Sequence, residues 1–238
     1  MKKWYSFSEN TPYKSEDPSF FDIEKKDWKN LLENNYDIIL KELHQLIEEK
    51  DKNIIPYPNK SLADKHGNWT IFNLYQWGKK RAENCQKCLN TTSILEQMNG
   101  MVSCSFSILK PHSSIKPHKG DSNVMYRCHL TLKCEDTLPN IGMRVRDEKI
   151  SWENGKLFAF CDAYEHEVWN NTDNERFILI VDILREEFVA HKKQICAEVN
   201  ATLFWQLKLQ NTHLLDHFPI WFRKFLILIT SPIYRIKK

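Results

Sequence analysis

The stretch PHKGDSNVMYRCHLTL, residues 117–132, reads as strand, turn and strand. Its sixteen residues hold two histidines, an arginine and an aspartate. His118 opens what would be an H-x-D metal-chelating pair, yet Gly120 stands where the carboxylate belongs. In the second strand, Arg127 and His129 fall on one face, opposite Tyr126, Cys128, Leu130 and Leu132, because side chains alternate along an extended chain. The stretch therefore poses two questions together: whether a metal sits here with one ligand missing, and what the polar strand face meets.

Outward from it, short strands recur. Val102, Cys104, Phe106 and Ile108 alternate with Ser103, Ser105 and Ser107, which predicts a half-buried strand. Further strands are expected over 143–146, 149–152, 156–160, 167–169 and 177–183, separated by Asp147-Glu148, Asn154-Gly155 and Asn171 to Asn174. Many short strands at this spacing predict a sandwich or a jelly-roll barrel. The first hundred residues read as mostly helical. Asp27 is placed to cap a helix carrying Trp28, Leu31, Leu32, Ile39, Leu43, Leu46 and Ile47 at three- and four-residue intervals. A loop is expected around residues 55–58, a strand over 69–77, and a short helix opening at Ser93-Ile94-Leu95-Glu96, which has capping-box spacing. Helix returns over 192–210. The chain thus divides into a helical region 1–100, a β core 101–184 and a helical extension 185–238.

Composition excludes some classes. A formal net charge of +3 in 238 residues gives no argument for nucleic acid, and no nucleic-acid motif is present. The N-terminus MKKWYSFSEN has no apolar signal-peptide core, so export is not expected and a cytoplasmic location is. Seven scattered cysteines suit reduced thiols. Cys85 and Cys88 form a lone C-x-x-C with no second half, and are read as structural.

Two histidines on different strands, His118 and His166, form a natural cradle for a metal such as Fe(II), with open positions for a chelating cofactor. Arg176 enters an otherwise apolar strand. Either it lies at the solvent end of that strand or it meets a buried anion, for which its guanidinium fork is the best-shaped partner.

These pieces fall in a recognisable order: Ser107-Ile108-Leu109, Pro117 to Gly120, Asn123, Arg127 to Leu130, Trp152 to Lys156, Phe160 to Asn170, and Arg176 with the strand ending in Val181-Asp182. Over 107–183 the chain resembles the aspartyl/asparaginyl β-hydroxylase family of Fe(II)- and 2-oxoglutarate-dependent dioxygenases. Weaker similarity around Trp69 to Tyr75 and Asn84-Cys85 is to the branch of lipid A acyl-chain 2-hydroxylases. The resemblance implies an α+β chain with a mainly β core, a double-stranded β-helix (cupin-like jelly roll) flanked by N- and C-terminal helices. It implies Fe(II) held by His118 and His166 alone, with 2-oxoglutarate and O2 as cosubstrates. Arg176 and Ser107 would take the distal carboxylate of 2-oxoglutarate, and Arg127 and His129 its metal-proximal end. Asp162 would orient a ligand or a metal-bound water without itself ligating. Asp121 departs from the family, where proline is frequent, and is expected to point away from the metal unless the chain bulges. An aspartate placed at Gly120 is expected to retain iron and lose hydroxylation.

The implied activity is hydroxylation of an unactivated C–H bond. The β-carbon of Asp or Asn in a peptide comes first, a lipid acyl chain second, and a cupin-like binding domain without turnover is the third reading. The tail HFPIWFRKFLILITSPIYRIKK bears on the choice. A helix is expected from Pro219 to Pro232, too short for the roughly 20 apolar residues that span a bilayer. With five basic residues and no acid after Asp216, residues 219–238 read either as a peripheral membrane contact or as a helix that closes the barrel or joins a dimer.

Overall fold

The computed structural model describes residues 2–6, 8–9, 11–209 and 218–236. The strands are β1 (Phe20–Phe21), β2 (Ile55–Pro56), β3 (Trp69–Gln76), β4 (Lys79–Lys80), β5 (Met101–Leu109), β6 (Ser113–His118), β7 (Met125–Lys133), β8 (Ile141–Val145), β9 (Glu148–Ile150), β10 (Leu157–Phe160), β11 (His166–Asn170) and β12 (Arg176–Leu184). The helices are α1 (Asp27–Asn34), α2 (Tyr36–Glu48), α3 (Ala82–Lys87), α4 (Leu89–Glu96), α5 (Glu186–Val189), α6 (Lys192–Leu209) and α7 (Ile220–Ile236). The larger sheet runs β1-β10-β7-β12-β5-β3-β2, with β4 paired to β3, and the smaller runs β6-β11-β8-β9. All pairings are antiparallel. Two such sheets facing each other form the expected jelly roll, an α+β chain with a mainly β core.

Alternation along the central strands of the larger sheet decides what each face carries. Phe106 of β5, Leu130 of β7 and Leu179 of β12 point outward and pack with Leu32 of α1 and Ile39, Leu43 and Leu46 of α2. Leu109 and Ile178 point inward and pack with Ile115, Met143, Val145 and Val168 of the smaller sheet. The alternating inward positions also hold Ser107, Arg127, His129, Arg176 and Asp182, all but Arg127 fully buried. A strand that looks apolar throughout is thus covered on both faces, and its polar exceptions all open into one interior. A third apolar cluster joins Trp77, Val102, Val124 and Leu184 to Ile195 and Val199 of α6.

Several expectations need correction. The boundary at residue 101 cuts through one sheet, since β3 pairs along β5 from Trp69↔Leu109 to Tyr75↔Cys104. Residues 55–58 are not wholly loop: Ile55 and Pro56 pair with Ile71 and Thr70, at a sheet edge where a proline is tolerated. Asp27 is the first helical residue, not the cap, which is Lys26 without a side-chain bond. The expected single helix breaks at Asn35, whose Nδ2 donates to Leu31 O at 2.7 Å and so offers the chain an alternative to continuing the ladder. Ser93 lies inside α4, not at its start. Pro232 lies inside α7 and does not end it. Cys85 and Cys88 are buried free thiols. Gln210, His217, Lys237 and Lys238, included in the expected C-terminal helices, lie outside the described residues.

The true start of α4 has a cap from far away in sequence. Glu42 of α2 is buried, and its carboxylate accepts from Asn90 N and Thr91 N at 2.9 Å and from Thr91 Oγ1 at 2.6 Å. A carboxylate there satisfies orphan amides and meets the positive end of the helix. Glu42→Ala should therefore lower stability by about 2–3 kcal/mol in urea unfolding, from buried donors left unpaired. A change under about 0.5 kcal/mol would show that water replaces the cap.

Candidate active site

The β6–β11 register sets His166 directly opposite His118, and the ring centroids lie 4.2 Å apart. Each Nδ1 faces a carbonyl two residues earlier, at 2.8 Å from Lys116 O and 2.9 Å from Tyr164 O. Nδ1 must carry the proton to donate there, which leaves a lone pair on each Nε2, the tautomer a metal requires. Burial pushes both histidines below the ordinary imidazole range, His166 further because His118 adds to the effect. Both are therefore neutral near pH 7. Among the described residues no group of three or more His, Cys, Asp or Glu side chains is arranged to hold a metal.

Asp162 explains the glycine. Its carboxylate is fully buried, with Oδ1 3.6 Å from His166 Nε2 and Oδ2 lacking a hydrogen-bond partner. A Cβ built on Gly120 would overlap this carboxylate outright. Gly120 N also donates to Asp162 O at 2.8 Å, locking the two segments at that spacing. The glycine is needed for space, and its φ is not in the left-handed region. An aspartate at 120, expected from the sequence to retain iron and lose hydroxylation, would first have to displace Asp162, which fills the place its side chain would take. Burial raises the Asp162 carboxyl to about 7, although Arg127 beside it acts to lower it.

Arg127 holds that carboxylate in place. Its Nη1 donates to Asp162 Oδ1 at 2.6 Å, while Nε and Nη2 grip both oxygens of Asp182 at 2.9 and 3.0 Å. Three of the five guanidinium N–H groups are thus engaged within the protein. Arg127 lines the cavity, but its main partners are carboxylates of the chain itself, more than the cosubstrate contact implied by resemblance would need. Asp182 was missed as a site residue. Its sequence signal is an acid in an apolar strand; the register that pairs it with Arg127 is visible only in the structure. Burial raises the Asp121 carboxyl, and Arg127 partly offsets this, so Asp121 belongs to the same electrostatic group without touching the histidines.

Arg176 presents the opposite case. It is 1% exposed, and among the described residues no carboxylate faces it. Its Nη2 reaches Ser107 Oγ at 3.4 Å, its guanidinium lies 4.8 Å from the Trp152 ring centroid, and its Nε has no partner. Burial pushes it down to about 9, a sign that the charge is uncompensated. The Trp69 indole fixes Ser107 by donating to Oγ at 3.0 Å, and Tyr57 stacks on Trp69 at 3.7 Å. The Trp152 indole donates to His129 Nδ1 at 3.4 Å, which turns His129 Nε2–H into a donor. His129 is packed among Phe158 and Phe160, and burial drives it well below the usual imidazole range, keeping it neutral. The sequence places Trp152 and Trp69 in strands and in segments that carry the family resemblance, and Tyr57 in a loop, but assigns none of the three a role in the site.

His118, His166, Arg127, His129, Ser107 and Arg176 line one narrow cleft of about 40 Å³. An open basin of about 450 Å³ is lined by Tyr13, Lys14, Lys119, Arg146, Tyr164 and Glu165. Lys119 and Glu165 are the chain neighbours of the two histidines.

Two outcomes are expected. Gly120→Ala should destabilise the fold by about 1–3 kcal/mol, as overpacking does, and much less in an Asp162→Gly background, because the two positions share one space. Equal losses in both backgrounds, measured by urea unfolding, would refute that reading. His129 titrates below 6.5 when folded, so unfolding takes up a proton below that pH and stability falls as pH falls. His129→Gln should reduce that slope below pH 6.5 by up to about 1.4 kcal/mol per pH unit, read from urea midpoints at pH 7 and 5.

Comparison with known proteins bears on the family. Residues 33–186 match the family model described as aspartyl/asparaginyl β-hydroxylase. An ornithine lipid ester-linked acyl 2-hydroxylase from Rhizobium tropici is 30% identical over 172 residues, covering 71% of this chain and 61% of that protein. The aspartyl/asparaginyl β-hydroxylase of Mus musculus is 31% identical over 170 residues, covering 68% of this chain and 22% of that protein. Among solved structures, a Pseudomonas putida prolyl-4-hydroxylase aligns with a TM-score of 0.40 at 17% identity, covering 63% of this chain and 88% of that one. With the family model matching well over half its length, this chain belongs to the aspartyl/asparaginyl β-hydroxylase family.

Proposed function

We propose that this protein is a hydroxylase that uses Fe(II), 2-oxoglutarate and O2 to oxidise an unactivated C–H bond. The observation that carries the reading is Arg176, a buried guanidinium with no carboxylate partner. A buried charge without a counter-charge is destabilising unless something supplies one, and a dicarboxylate entering the cleft would do so. The donor set fits the rest: two neutral imidazoles with free Nε2 atoms and a buried carboxylate alongside suit a divalent ion with open positions.

His118 and His166 would hold the iron, which with 2-oxoglutarate supplies the oxidation, inserting one oxygen atom of O2 in the C–H bond and the other in succinate, with loss of CO2. Arg176 and the Ser107 hydroxyl bind the distal carboxylate and fix the cosubstrate's depth. His129 Nε2–H donates to its other end. Asp162, held by Arg127, accepts a hydrogen bond from water beside the histidines and adds negative charge there. Phe158, Phe160 and Trp152 keep bulk water from the cleft.

The first target is the β-carbon of Asp or Asn in a peptide, the chemistry in the mouse relative's name. The basic lining of the basin, with Lys14, Lys119 and Arg146, suits an acidic substrate group. A lipid acyl chain, as in the Rhizobium relative's name, is the second reading, favoured by the exposed apolar residues of α7.

Purified protein given Fe(II) and 2-oxoglutarate should release succinate, and His118→Ala or His166→Ala should abolish it. Arg176→Lys keeps charge but loses the two-pronged grip, and should raise the 2-oxoglutarate requirement about tenfold or more, the loss of a single charge-assisted bond. Unchanged affinity in Arg176→Lys would move the carboxylate site elsewhere. No succinate from wild-type protein under any substrate would leave a binding domain.

A further inference from the structure

Helix α7 packs on α6 with one side only. Leu226 and Ser231 are buried, and Thr230 Oγ1 accepts from the Trp205 indole of α6 at 3.3 Å. Trp221, Phe225, Leu228, Ile229 and Ile233 are left exposed, Trp221 and Leu228 at 69% each. Trp221, Phe225, Leu228 and Pro232 follow at intervals of four, three and four, one stripe of a helix about 25 Å long. The fold therefore does not use this helix to close the barrel. Phe204 and Leu207 of α6 are exposed as well.

The charges select the occupant. Between Ile220 and Ile236 stand Arg223, Lys224 and Arg235 and no acid, and Lys237 and Lys238 follow in the sequence. Lys224 and Arg235 are exposed beside the apolar stripe. A two-fold pairing of this face with a second copy would bring these cations against one another with no acid on the helix to answer them. An anionic lipid surface answers both features, taking the aromatic and aliphatic side chains below its headgroups and pairing the basic ones with them. No helix among the described residues is long and apolar enough to cross a membrane, so the geometry is that of a helix lying in the surface.

The helix is also tied to the cleft. Lys224 pairs with Glu9 at 3.1 Å. Tyr5 Oη donates to Glu198 of α6 at 2.8 Å, and Tyr5 bridges to Ser122, four residues after His118. Trp4 N donates to Asn123 Oδ1 at 2.8 Å. Further along, Tyr13 and Lys14 line the basin. A short N-terminal strap thus joins the apolar helix to the segment that follows His118.

We infer that α7 docks this protein on an anionic lipid surface through Trp221, Phe225, Leu228, Ile229 and Ile233, with Lys224 and Arg235 facing the headgroups. The inference draws on the hydroxylase reading only for its purpose, which is to bring the cleft to a substrate at the lipid surface, and the docking is measured without iron or 2-oxoglutarate. The test is cosedimentation of the full chain with phosphatidylglycerol/phosphatidylcholine vesicles against phosphatidylcholine alone. Binding should need the anionic lipid and weaken as salt rises. Lys224→Gln with Arg235→Gln should weaken it about thirtyfold, roughly fivefold for each charge. Trp221→Ser with Phe225→Ser, both exposed and so compatible with folding, should abolish it. Brominated lipid should quench the wild-type tryptophan emission more than that of Trp221→Phe. Failure of the intact protein to bind anionic vesicles at low salt would overturn the inference, as would binding that survives the Trp221/Phe225 change. A dimer that dissociates on Phe225→Ser, in a protein that ignores vesicles, would assign the face to a second copy. Succinate release is unaffected by any of these results, so the two readings fail separately.

Discussion

The register between β6 and β11 is the constraint on which the rest depends. It sets His118 opposite His166, and a slip of one residue would send one ring to the far face of the sheet. Ile115 and Val168 are cross-strand partners packed in the inter-sheet core, and a register shift between Val168 and His166 brings His118 opposite His166. The carbonyls of Lys116 and Tyr164 then fix both imidazole tautomers. The packing that holds the sheets together thereby also sets the two rings side by side, their centroids 4.2 Å apart.

Two arginines on the inner face of the larger sheet show how burial and pairing divide labour. Arg127 is surrounded by carboxylates, bidentate to Asp182 and bonded to Asp162, so its charge is answered inside the protein. Arg176 has a hydroxyl and an indole face but no acid. The first arrangement is structural and orients Asp162. The second leaves its charge unanswered, and a guanidinium without a counter-charge in a low-dielectric interior gains more from an incoming carboxylate than a paired one does, which is what the proposed cosubstrate contact rests on.

Gly120 and Asp162 form a steric pair across the chain. The carboxylate that a histidine–carboxylate motif would carry two residues after His118 is supplied by the turn before β11, four residues ahead of His166. Its approach is possible only because residue 120 has no side chain. A carboxyl group thus reaches the histidines by a different route, attached to a different segment and held by Arg127.

The sequence by itself determined the pattern of short alternating strands, the shared face of Arg127 and His129, the histidine pair and the anomaly of Arg176. These are properties of local periodicity and of residue type, and a β-strand has only two faces to assign. It also located the amphipathic tail, since a run of aromatic and basic residues without acids is visible in composition alone. Only the tertiary structure decided where the helix starts fall, because Glu42 caps α4 from 48 residues away in sequence and Asn35 breaks a continuous apolar stripe through its own side chain. Only the structure joined β3 to the core sheet, paired Asp182 with Arg127, placed Trp152 over Arg176 and turned the apolar side of α7 outward. Each of these is a contact between segments far apart along the chain. Such contacts are set by how two faces meet in space, and the order of residues on either face does not record them.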